Sequence, residues 1–125
     1  MELEWFEKNL IIALRILLPF FKKYKFHLCN LDINSRDGDY LIFCSLFNNT
    51  KVSVIINPGF DILIERKKGF FNLVNSNQII SLTQEKKYFP KFASLPSDYK
   101  NVEELGKLLK EYTLFIEDSF VEYLK

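Results

Sequence analysis

The chain has 125 residues, 48% of them apolar, and a net charge of +1 from 17 basic and 16 acidic side chains. That length suits one domain with one core, and that apolar share excludes a chain disordered throughout. Near-neutral charge excludes a global field able to draw in nucleic acid or an anionic membrane.

Residues 3–24 read as a helix. Leu3, Phe6, Leu10, Ala13, Leu14, Leu17, Phe21 and Tyr24 recur at spacings of three and four, which makes one buried stripe. Ile11, Ile12, Ile16, Leu18 and Phe20 widen it, so the helix should be covered on more than one side. Pro19 has no amide to donate and predicts a kink or a break into two helices. The apolar run from Leu10 to Phe21 is shorter than the ~20 residues that span a bilayer. The N-terminus is acidic (Glu2, Glu4, Glu7) and lacks the basic start of a signal peptide. A soluble cytoplasmic protein is the expectation.

Four strands follow, punctuated about every ten residues by Asp37-Gly38, Asn48-Asn49, Pro58-Gly59 and Lys68-Gly69. In the first, residues 26–35, Phe26 and Leu28 have one parity and Leu31 and Ile33 the other, which predicts a bulge near Asn30. The second, residues 39–47, is apolar on both parities. The third (51–57) and fourth (60–66) alternate cleanly: Val52, Val54 and Ile56, then Phe60, Ile62 and Ile64, belong to one face. The helices should cover that face. Leu41, Phe43, Ile55 and Leu63 are assigned to the second face, to be covered by residues 70–100 or by another protein.

Residues 70–74 fit a fifth short strand and residues 77–87 a short helix capped by Asn77. Pro90 and Pro96 make residues 88–100 a loop, anchored by Phe89, Phe92, Leu95 and Tyr99. The last helix opens with Asn101 as N-cap and Glu104 three residues on, placed to bond back to the cap amide. Its stripe runs from Val102 to Leu124, with Gly106 where the first helix or the sheet comes close. The fold class is therefore α+β: a four- to five-stranded antiparallel meander packed against N- and C-terminal helices in one domain.

Catalytic chemistry has little to work with. His27 is the one histidine, and no nucleophile motif accompanies it. Gly38, Gly59, Gly69 and Gly106 are scattered, so no phosphate loop forms. Cys29 and Cys44 read as two buried free thiols, with a bridge between neighbouring strands as the geometric alternative. No enzyme activity, cofactor or metal is expected. Two stretches mix cations and rings, Arg66-Lys67-Lys68-Gly69-Phe70-Phe71 and Lys86-Lys87-Tyr88-Phe89-Pro90-Lys91-Phe92. Such stretches can stack bases, yet the neutral chain favours a protein contact. Residues 101–125 carry a net −3 against +4 elsewhere.

The segment Pro19-Phe20-Phe21-Lys22-Lys23-Tyr24-Lys25-Phe26, a helix end leading into the first strand, and the closing helix Leu105–Leu124 resemble small bacterial immunity-type proteins of polymorphic toxin systems. The resemblance implies a cytoplasmic, non-catalytic protein that occludes one cognate toxin. Charge balance departs from the strongly acidic pattern of nuclease inhibitors, which argues against a basic nuclease target or confines the acidic contact to the last helix. Two surfaces are candidates for a protein partner: Glu104, Glu111, Glu117, Asp118 and Glu122, or Lys86, Lys87, Tyr88, Phe89 and Lys91. Self-association through the second sheet face is the alternative, and nucleic-acid binding ranks below it.

Overall fold

The computed structural model describes residues 5–35, 38–57, 59–67 and 77–125. Helix α1 (Trp5–Lys23) leads into strands β1 (Phe26–Ser35), β2 (Gly38–Ser45), β3 (Thr50–Asn57), β4 (Asp61–Lys67) and β5 (Asn77–Ser81). One turn of helix, α2 (Leu82–Glu85), and an irregular segment then reach helix α3 (Val102–Ser119). The five strands form one antiparallel sheet in the order β1-β2-β3-β4-β5. This is the α+β meander that the sequence predicts.

Strand alternation decides the core. Leu41, Phe43, Val52, Val54, Ile62 and Ile64 are buried on one face, and both long helices pack there. Phe21 of α1 stacks on Phe43 at 4.4 Å between ring centroids. Tyr112 of α3 meets Phe60 at 5.1 Å. The opposite face carries Tyr40, Ile42, Ser53, Ile55 and Leu63, all half-buried. Leu41 and Phe43 thus belong to the helix-covered face, which corrects their assignment to the second one. The described part of residues 70–100 turns Phe89 and Phe92 toward α3, at 5.3 and 4.7 Å from Phe115.

The expected bulge is present. Leu28 pairs with Phe43 and Asn30 with Ile42, leaving Cys29 as the extra residue of β1. The bulge puts Cys29 beside Cys44, with 6.0 Å between their Cα atoms and a disulfide joining them. Cys29 is exposed. The reading as two buried free thiols is therefore wrong, and the bridge between neighbouring strands, its alternative, is the arrangement present.

Other corrections are local. Pro19 lies within α1, which is not broken into two helices. Strand β2 ends at Ser45, so Leu46 and Phe47 belong to the following turn. Residues 77–81 are a strand rather than a capped helix. Ile80 pairs with Ile64 and is buried, while its neighbour Ile79 is exposed, the alternation of a strand. The turns expected at Asp37, Pro58 and Lys68-Gly69, and the strand expected over 70–74, fall outside the described residues.

Helices α1 and α3 run side by side in the same direction. Ile12 meets Gly106 near their starts, and Lys23 meets Glu117 near their ends. A Cβ on Gly106 would stand 3.1 Å from the Ile12 Cγ1, so this glycine is there for helix contact. Asn9 of α1 is 1% exposed and has no hydrogen-bond partner on its carboxamide oxygen or nitrogen. An unpaired buried amide is unfavourable by about 1–3 kcal/mol. Asn9→Leu is accordingly expected to raise stability by about that amount, read as a higher urea midpoint at unchanged slope. A lower midpoint would show that the carboxamide holds a bound water.

Candidate functional site

A concavity lies between α3 and the segment that precedes it. Glu104, Lys107, Leu108 and Glu111 form one wall, spaced along one side of α3, and residues 94–100 form the other. Its volume is about 570 Å³. Leu95, Pro96, Tyr99 and Leu108 supply an apolar floor, and the rim carries Asp98, Glu104 and Glu111 against Lys100 and Lys107.

The irregular wall is held by side chains instead of a backbone ladder. Tyr112 donates its hydroxyl hydrogen to the Pro96 carbonyl at 2.9 Å, and Tyr99 donates to the Ile56 carbonyl at 2.8 Å. Lys86 donates from Nζ to the Leu95 carbonyl and to Ser97 Oγ. Burial holds this lysine below its ordinary pKa. The cap of α3 closes the groove's end. Asn101 Oδ1 accepts from the Glu104 amide at 2.8 Å, and Glu104 Oε2 accepts from the Lys100 amide at 2.7 Å. Glu104 therefore reaches one residue beyond the cap amide expected of it. Burial pushes both tyrosines up to about 12, with Asp98 and Asp39 adding to it at Tyr99 and Asp61 at Tyr112. Both hydroxyls thus stay protonated donors at neutral pH.

The ten residues proposed from the sequence take different roles. Glu104 and Glu111 line the groove. Lys86 braces its wall. Phe89 is half-buried against Phe115 and Phe120. Lys91 pairs with Asp118 at 3.5 Å, so the acidic helix and the basic loop, read as alternative surfaces, adjoin. Lys87 lies over the ring of Tyr88, which is 68% exposed. Glu122 is exposed, and its backbone carbonyl accepts from Arg66 Nη2. Arg66 also bonds Thr50 Oγ1 and the Tyr123 carbonyl. Its guanidinium ties the C-terminal turn to the sheet and is engaged within the protein.

Glu117 works inside the protein as well. It accepts from Lys23 Nζ and the Tyr24 hydroxyl, both at 2.5 Å, joining the ends of α1 and α3. Lys23, then Tyr24, hold its carboxyl below the usual carboxylate range, while Lys23 is raised in turn by Glu117. A depressed carboxyl contributes stability above its unfolded value and loses it as pH falls through the folded one. The raised lysine keeps its part until pH climbs through its own value, far into alkali. Glu117→Gln should therefore lower the urea midpoint at neutral pH, and the difference from the native chain should vanish in acid. A difference that persists in acid would assign the loss to packing.

Asp98, Lys100 and Lys107 are the rim residues that sequence reasoning missed. Their only signal was a position beside the anchored prolines and the cap of α3. The groove offers hydrogen-bond donors, acceptors and apolar area, and its lining side chains include no histidine or cysteine. Among the described residues no cluster of three or more metal-ligating side chains occurs, and no helix is long and apolar enough to cross a membrane. No family model, curated protein or solved structure matches this chain.

Proposed function

We propose that this chain is a non-enzymatic protein-binding module that takes a segment of its partner into the groove between α3 and residues 94–100. The observation that carries this reading is pre-organisation. Tyr99, Tyr112, Lys86 and Glu104 hold the irregular wall in place, so little ordering is left for the binding step. An apolar floor with a mixed-charge rim resembles the anatomy of protein interfaces. Three carboxylates against two ammonium groups favour a segment that is apolar at its centre and basic at its flank.

The resemblance to immunity-type proteins names a class of partner: a cognate toxin, neutralised by occlusion. Co-expression with the product of the neighbouring open reading frame tests it. Rescue from that product's toxicity, and its loss in a Glu104→Lys, Glu111→Lys variant, are the expected results. No complex and no rescue would remove the toxin reading. That reading also places the protein in the cytoplasm, whereas the Cys29–Cys44 bridge is more at home in an oxidising compartment. Alkylation of free thiols at lysis, followed by mass analysis, distinguishes the two.

A further inference from the structure

A second surface lies at the other end of α3, where the β2–β3 turn, residues 46–49, projects Leu46 and Phe47. Phe47 is 78% exposed and Leu46 62%. The turn is held rigidly. Ser45 Oγ accepts from the amides of Phe47 and Asn48, both at 3.1 Å. Asn48 Oδ1 accepts from the Thr50 amide at 2.8 Å, and its Nδ2 donates to the Lys125 carbonyl at 2.9 Å. The Leu46 amide donates to the Lys25 carbonyl at 3.0 Å. An aromatic side chain fixed in solvent by such a network has already lost the freedom that binding would otherwise remove.

Beside Phe47 is a hollow of about 230 Å³, lined by Tyr24 and Leu124 as well as by Lys25 and Lys125, with no carboxylate side chain in its lining. The nearby Glu117 is engaged by Lys23 and Tyr24. Among the described residues Lys25 is the one non-glycine with positive φ, at 65°. It follows α1 at a position where glycine is favoured, and a residue held there against its preference is a pointer to use of its side chain.

The geometry points to an anchor for an acidic protein segment: Phe47 and Leu46 meet apolar side chains of the partner while Lys25 meets its carboxylate. Rigid aromatic anchors carry most of the energy at protein interfaces, and opposite charge sets rate and register. An anionic membrane is the less favoured occupant. Two apolar residues give a weak lipid anchor, and the hollow beside the ring suits a side chain.

Random twelve-residue peptides displayed on phage and selected on the intact protein test this. Enriched peptides are expected to combine Asp or Glu with Leu, Phe or Trp and to weaken as salt rises. They should bind Phe47→Ser and Lys25→Glu about tenfold or more weakly, with both variants checked for folding by circular dichroism. A Glu111→Gln variant, which alters the groove with little change in net charge, should bind them unchanged, separating this surface from the groove. Failure to enrich, a basic consensus, or equal binding to Phe47→Ser would overturn the inference. So would Phe47-dependent sedimentation with phosphatidylserine vesicles in place of peptide binding.

Discussion

Phe115→Ala is expected to destabilise the protein by about 3–5 kcal/mol. Phe115 is fully buried in α3. Its ring stacks on Phe92 at 4.7 Å and meets Phe120 at 5.2 Å and Phe89 at 5.3 Å. Those contacts join α3 to the segment that leads into the groove. Truncation would leave a cavity with few ways to close, because the rings around it are held in two stretches of chain, residues 89–92 and the end of α3. Domains of this kind are stable by only about 5–15 kcal/mol, so the variant should sit near its unfolding threshold. Urea denaturation followed by tyrosine fluorescence measures the loss. Hydrogen exchange should also show residues 86–96 losing protection first. A loss under 1 kcal/mol would mean that the aromatic cluster is looser than its ring distances state.

Reducing the Cys29–Cys44 bridge, or replacing either cysteine with serine, is expected to lower stability by about 3 kcal/mol. The bridge closes a loop with a sequence separation of 15. Its effect comes mainly from restricting the unfolded chain, and it also clamps the bulge of β1 to β2. The thermal midpoint of the native chain should fall when a reductant is added, while that of Cys44→Ser should not respond. A native chain indifferent to reductant would show that the cysteines are a dithiol in the purified protein.

Strands β3 and β4 were legible because each has one apolar parity, and Val52, Val54, Ile62 and Ile64 are all buried. The cap of α3 was legible because Asn101 and Glu104 act within one turn of chain. Legibility failed where a neighbour decides. Ile79, Ile80 and Leu82 fit a helix or a strand, and pairing with β4 selects the strand for Ile79 and Ile80, while Leu82 opens α2. Strand β2 is apolar on both parities, so only its register beside β1 and β3 shows that Leu41 and Phe43 face the helices. The groove was the least legible feature. Its wall is held by Lys86, Tyr99 and Tyr112, whose partners lie 9 to 43 positions away, beyond the reach of any local period. Phe47 was misread because a strand that should end at Ser45 continued in apolar letters.

The side-by-side, same-direction arrangement of α1 and α3 bears on how the protein is made. Everything from α1 to β5 leaves the ribosome before α3 does, and the meander can pair as it emerges. Its core face then waits for a final helix that contributes Leu105, Leu109, Tyr112 and Phe115. At about 5–20 residues per second, the wait lasts on the order of seconds. During that interval Val54, Ile62 and Ile64 are open to chaperones and to other nascent chains. Ribosome stalling before Phe115 should therefore be more hazardous to the cell than stalling anywhere within the sheet.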